Sequence, residues 1–420
     1  MSKFGWCVAL AVSFGAAAGA VAQDKAGEAM AATVMRQWPA GVITSMKSPG
    51  AWTYEEGTLL DGMIAEWKTS GNAAEFAYVK ASVDRYILPD GTIQMTADGK
   101  PFPMTTHTLD DIEFGRAVMA VYHETHEAKY GTAAKFLRAR LAEQPRTASG
   151  GYWHKQIYPN QMWLDGAYMG EPFHSAYATD FHHPEEFSDI AKQLLLMDEH
   201  MVDPKSGLLR HGWDESKAMP WADKQTGLSP AAWGRAMGWY CMALVDVLDW
   251  MPKDNPDRVK LIAVLRRVMG AVVAVQDPDT GLWWQVMDRG RHAQGQLNGK
   301  GQVTAAASTA ADKGNFLEAS ASAMFVYALA KGVRMGYLDR KPYEADARRG
   351  WEGIQTKFVS TAANGDVTFS GTVKVGGLGG TPYRSGTPEY YYSGEALGDQ
   401  DAKGVGAYLL AASEMGRVTK

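Results

Sequence analysis

Cysteine is almost missing from this chain: its 420 residues hold two, Cys7 and Cys241. Cys7 falls in a leader-like start, so one thiol remains beyond it and an intramolecular disulfide is excluded even in an oxidising compartment. Cys241, within GWYCMALVDVL, reads as a small buried hydrophobe. Excess positive charge is also lacking. A formal net charge of −5 gives no basic field, so nucleic acid is not an expected partner. Long apolar runs are confined to the start, and nothing later approaches the ~20 uninterrupted apolar residues of a membrane span. Strand patterning is scarce too, with Gly365–Val375 (GDVTFSGTVKV) alone alternating convincingly.

Several catalytic signatures are absent. His123-Glu124-Thr125-His126 lacks the four-residue His spacing of a zinc-protease helix, and His182-His183 has no companion ligand set, so neither a metal nor another cofactor is expected. Gly376-Gly377-Leu378-Gly379-Gly380 is not followed by Lys-Ser or Lys-Thr, which leaves a flexible turn rather than a phosphate loop. No Gly-x-Ser-x-Gly elbow occurs, against a serine esterase.

What is present begins with residues 1–22, which read as a secretory signal. Lys3 is the positive start, Trp6 to Val21 the apolar run, and Ala20-Val21-Ala22 a small-x-small cleavage site before Gln23. The expectation is export to a periplasmic or extracellular location, with residues 23–420 as the mature chain. Helical periodicity then dominates: 24–38, 55–69, 72–86, 110–126, 131–142, 186–201, 232–250, 257–275, 317–337, 342–358 and 403–416 all space apolar residues at three and four. Turns such as Pro89-Asp90-Gly91 and Asp203-Pro204-Lys205-Ser206-Gly207 punctuate them. About a dozen helices and no Pro/Ser linker predict one all-α domain, either a solenoid of hairpins or a closed toroid of six hairpins. Polar and aromatic residues recur beside successive helices, and these would converge only in a closed ring.

The densest such cluster is 151–170, GYWHKQIYPNQMWLDGAYMG. Asp165 lies there among Trp153, Met162, Trp163 and Tyr168, where desolvation would raise its pKa and suit it to donate a proton. An Asp between Leu and Gly equally suits a helix cap or turn, and the stretch alone leaves both open.

Five motifs in order resolve more. Trp153-His154-Lys155, Tyr158-Pro159-Asn160-Gln161-Met162-Trp163-Leu164-Asp165-Gly166, His211-Gly212-Trp213-Asp214, Trp233-Gly234-Arg235-Ala236-Met237-Gly238-Trp239 and Gly386-Thr387-Pro388-Glu389-Tyr390-Tyr391-Tyr392-Ser393-Gly394 resemble the unsaturated rhamnogalacturonyl hydrolases, glycoside hydrolase family 105. The resemblance runs from about Trp52 to the C-terminus. It implies a six-hairpin (α/α)6 toroid and removal of a 4,5-unsaturated uronic acid from the non-reducing end of lyase-cut pectin, through hydration of the double bond. The expected partner is that oligosaccharide, and the chain is expected to be a monomer or weak homo-oligomer.

By the same resemblance Asp165 is the general acid and Asp110 a second essential carboxylate, with the adjacent Asp111 as its alternative. Tyr54, His154, Lys155, His211, Trp233, Arg235 and Trp239 match positions around the substrate, Arg235 being the first choice to meet its carboxylate. Of the two tryptophans, one is expected to stack on sugar and one to pack in the core. Ala236-Met237-Gly238 stands where many members carry Gly-Asn-Gly, a difference that bears on the subsite beyond the unsaturated sugar. The polar stretch 291–314 is expected to form a loop over the pocket or an excursion away from it. Two other readings stay open: an unsaturated glucuronyl hydrolase for another lyase-cut polysaccharide, and a non-catalytic sugar-binding toroid.

Overall fold

The computed structural model describes residues 13–44, 48–290, 296–297, 303–304 and 313–418. Among them the chain forms helices α1 (Ser13–Gln37), α2 (Tyr54–Ser70), α3 (Ala73–Asp84), α4 (Asp110–Glu113), α5 (Gly115–Thr125), α6 (Ala128–Ala142) and α7 (Leu164–Asp180). The second half adds α8 (Phe187–Met201), α9 (Gly234–Trp250), α10 (Arg258–Ala274), α11 (Ala319–Arg334), α12 (Arg340–Lys357), α13 (Pro388–Ser393) and α14 (Ala402–Val418). Strands are short pairs. β1 (Gln161–Trp163) runs antiparallel to β2 (Gly212–Asp214), with Trp163 opposite Gly212.

The helices close into a ring. α2 packs on α5, α5 on α7, α7 on α9, α9 on α11, α11 on α14, and α14 returns to α2, while α3, α6, α8, α10 and α12 pack against the ring from outside. This is the (α/α)6 toroid, and it removes the solenoid alternative. Local chemistry sets where the inner helices begin. Thr53 caps α2 by accepting from the Glu56 amide, and the Glu318 carboxylate caps α11 by accepting from the Ala321 amide at 2.6 Å. Gly71, at φ 72°, ends α2 in the left-handed region.

The inner helices are buried nearly all round: Gly234 to Leu248 of α9, Gly166 to Ala178 of α7 and Ala402 to Gly416 of α14 are covered throughout. A helix without a polar face shows no clear apolar stripe. α7 accordingly has no periodic signal in the sequence, and with Pro172 and two glycines inside it did not read as helical, although it carries Asp165. Where α2 and α14 cross, a Cβ on Gly406 would lie 2.2 Å from the Thr58 carbonyl, so the backbones meet directly.

Two other expectations change. The 110–126 helix is broken at Phe114 into α4 and α5. Gly365–Val375 is not one strand: Val367–Phe369 pairs with Val359–Thr361, Thr372–Val373 pairs with Leu397–Gly398, and Gly371 at φ 85° turns the chain between them. Residues 1–12 lie outside the described residues, and the cleavage site expected after Ala22 falls inside α1. The expected loop 291–314 also lies outside them, except for 296–297, 303–304 and 313–314. Among the described residues no helix is long and apolar enough to cross a membrane.

Candidate active site

The motif residues gather where the inner helices start. Tyr54 is the first residue of α2, Asp110 the first of α4, Asp165 the second of α7, Arg235 the second of α9 and Lys403 the second of α14. Helix N-termini carry partial positive charge and unpaired amides, so this end of the ring favours anions.

Short backbone pairings hold the loops in register. β1 leads into α7, and the Leu164 amide donates to the His211 carbonyl at 3.0 Å, which sets His211 beside Asp165. His211 Nε2 lies 3.0 Å from Asp165 Oδ2 as an ion-pair contact, not as an aligned hydrogen bond. The other ring nitrogen, Nδ1, sits 2.6 Å from the Tyr391 hydroxyl, and the imidazole is wholly buried.

The second carboxylate belongs to a separate group. The Leu109 amide donates to the His154 carbonyl, and a bridge joins Thr108 to Lys155. Lys155 Nζ donates to Asp110 Oδ2, and His154 Nε2 stands 3.5 Å from Asp110 Oδ1. His154 also stacks on Trp163 at 4.7 Å between centroids, with Tyr158 stacked on the other face at 4.7 Å. Asp111, by contrast, faces Phe102, Arg140 and Gln144 in a separate small pocket, so Asp110 is the member of the pair turned to the site.

Arg235 is 2% exposed, lies over the Trp233 ring at 4.8 Å and donates to the Val373 carbonyl. Trp233 itself is 1% exposed: Tyr391 stacks on it at 5.5 Å, Gln285 accepts its indole N–H at 3.1 Å, and Gly376 approaches so closely that a Cβ there would lie 2.4 Å away. It orients Arg235 and His211 and leaves little face for a sugar. Trp239 is not brought to this group. Its ring packs on Tyr168 at 4.8 Å, further down the barrel in the core.

The electrostatics overturn one expectation. Burial pushes the Asp165 carboxyl up, as its aromatic setting suggests, but His211, then His154 and Arg235, outweigh it and hold the pKa below the usual value. The aromatic residues come with cationic neighbours that the sequence order does not show. Burial lowers the His154 pKa to about 4, so that ring is neutral at pH 7. Asp111 is raised to about 7 by burial and by Asp110. Tyr54 is held well above the usual phenol value by burial, then by Glu55 and Asp110, and remains a donor.

A model of Glycosyl Hydrolase Family 88 matches residues 27–419. The chain belongs to this family. A solved family 105 glycoside hydrolase from Clostridium acetobutylicum shares 35% identity, covering 92% of this chain and 98% of that one with a TM-score of 0.81, in agreement with the resemblance read from the motifs. An Agrobacterium fabrum protein is 36% identical over 251 residues, 59% of this chain and 97% of its own length. The unsaturated rhamnogalacturonyl hydrolase YesR of Bacillus subtilis is 25% identical over 244 residues, 57% of this chain and 65% of that protein. For a glycoside hydrolase of family 88, a site with few free carboxylates is informative about mechanism.

Sequence reading missed several residues. Tyr391 lies in a quoted motif, yet its bond to His211 is legible only in three dimensions. Glu55 was hidden as a first-turn acid; burial pushes its pKa up against the pull of Lys403, and Lys403 pairs with Asp401 at 2.9 Å. Gln285 came from no motif.

His211→Gln leaves the Asp165 carboxyl buried without its main cationic neighbour. Its pKa should rise, read from the 13C carboxyl titration of labelled aspartate. An unmoved titration would show that His211 does not set the charge state.

Proposed function

We propose that this glycoside hydrolase removes the 4,5-unsaturated uronic acid from the non-reducing end of lyase-generated rhamnogalacturonan oligosaccharides, by hydrating the C4=C5 bond. The observation that carries this reading is the unequal state of the two carboxylates. Asp110 is engaged by Lys155 and His154, whereas among the described residues the side-chain partner of Asp165 is His211. An ordinary glycosidase needs two working carboxylates across the scissile bond. Hydration of an enol ether needs one acid.

Asp165 supplies the proton, and the substrate's own carboxylate, by drawing on Arg235, relieves one of the charges that hold the Asp165 pKa down. That proton adds to C4 and leaves an oxocarbenium-like cation at C5. Water adds at C5 and returns a proton to Asp165, and the hemiketal opens and expels the aglycone. Asp110, fixed by Lys155, holds the sugar hydroxyls or the water, and Tyr54 donates from the rim. The converging helix N-termini and Arg235 favour the substrate carboxylate.

The name of the Bacillus subtilis relative supports the pectin assignment. A Formosa agariphila relative, 24% identical over 232 residues, is named an unsaturated 3S-rhamnoglycuronyl hydrolase. Both names carry unsaturated uronides, so the aglycone is the finer question, and a panel of lyase-generated disaccharides separates galacturonyl from glucuronyl units.

Loss of the double-bond absorbance near ~235 nm on unsaturated rhamnogalacturonan disaccharide should fall roughly 10²-fold or more in Asp165→Asn, with no cleavage of the saturated analogue. An undiminished rate, or cleavage of the saturated sugar, overturns the assignment. Residues 1–22 support a further part of the reading, export; the protein recovered outside the cytoplasm should begin at Gln23, and recovery of the intact chain in the cytoplasm would contradict it.

A further inference from the structure

The inner helices have a second end, some 11 residues or about 16 Å below Asp165 on α7, where a cavity of about 290 Å³ is lined by Ala176 and by residues from the last turns of the other inner helices. Its size is close to the lower end of ligand pockets, about 300–1,000 Å³, and suits one monosaccharide-sized molecule. Met119, Trp250 and Leu410 supply apolar surface.

The polar lining is unevenly spent. Every acid in it is already paired: Asp61 with Arg116 at 3.0 Å, Asp246 with Arg116 at 2.8 Å and Lys331 at 2.6 Å, Asp249 with Lys331 at 2.7 Å, and Glu414 with Arg334. Of the cations, Arg116, Lys331 and Arg334 are taken up in these pairs, and two others have capacity to spare. Lys68 has no hydrogen bond or ion pair among the described residues, and Arg417 makes one contact, from Nη1 to Glu414 at 3.3 Å. These two lie on α2 and α14, which pack side by side. Lys68 is exposed at the mouth of the cavity; desolvation of its ammonium, then Lys331, Arg417 and Arg116, pull its pKa down against the opposing effect of Glu124. Cations near helix C-termini often bond the last carbonyls. Among the described residues neither Lys68 nor Arg417 does so. The free capacity of the cavity is therefore two donors on neighbouring helices, Lys68 at the mouth and Arg417, beside an apolar wall.

We propose that this cavity is a second binding site, for a monosaccharide-sized organic anion whose carboxylate is held by Lys68 and Arg417. A guanidinium and an ammonium on neighbouring helices gain charge-assisted hydrogen bonds and lose their mutual repulsion when a carboxylate lies between them. The acids on the opposite side, each neutralised, do not repel it. A uronate of the kind the proposed reaction releases has this size and charge, and the inference rests on that reading only for the choice of probe.

Calorimetric titration of the full chain with galacturonate tests the site, with galactose as the uncharged twin and inorganic phosphate as the bare anion. Lys68→Met and Arg417→Gln change outward-reaching side chains and should leave the melting temperature unaltered. Relative to wild type, each variant should lose one equivalent of bound galacturonate or bind that equivalent about tenfold more weakly or worse, and galactose should not reproduce it. Identical titrations in wild type and variants overturn the proposal. So does galactose binding as well as galacturonate, or phosphate displacing galacturonate at equal concentration. The readout is binding, so loss of the hydrolase reading through the Asp165→Asn assay leaves this result standing, and the reverse also holds.

Discussion

Arg116 is the partly buried charge around which the ring is arranged. It reaches Asp61 on α2 and Asp246 on α9 and lies over Tyr168 of α7 at 4.5 Å, while Tyr327 and Lys331 of α11 donate to the same Asp246. One network thus joins five of the six inner helices. Asp61 and Asp246 are buried carboxylates that depend on this partner, and removing one partner of a buried ion pair costs about 3–5 kcal/mol. The inner helices must then close at one radius and register. That constraint fixes which of their ends face each other above and below the network.

Above it, the starts of α2, α4, α7, α9 and α14 converge. The functional residues sit in first turns, so their directions follow from the helices, and the loops need only short pairings such as β1 with β2 to finish the placement. The Asp165 to His211 contact is the product of that arrangement: one partner comes from the start of α7 and the other from the residue just before the strand paired with its lead-in. Below the network the same helices end in the cation-rich cavity, so the two ends of one barrel offer chemically different surfaces.

Much of this was legible in the sequence, for a physical reason. Motifs at helix starts carry capping and turn residues as well as chemistry, so Thr53-Tyr54, Trp163-Leu164-Asp165 and Trp233-Gly234-Arg235 announce both a boundary and a site. What was not legible depends on burial from all sides. α7 has no polar face and showed no period. Trp239 matched a motif, yet its place one and a half turns into α9 sends it to Tyr168 rather than toward the sugar. The charge state of Asp165 was misread because its cations, His211 and Arg235, are distant in the chain. Aromatic neighbours in sequence predict desolvation; they say nothing of what else is buried with them.

The central claim is that the proton delivered by Asp165 goes to carbon. Turnover of the unsaturated disaccharide in D2O, sampled within the first turnovers, tests it most directly. The account predicts one deuterium at C4 of the released sugar, on a single face. Protium at C4, or deuterium divided between both faces, would contradict delivery of the proton by Asp165.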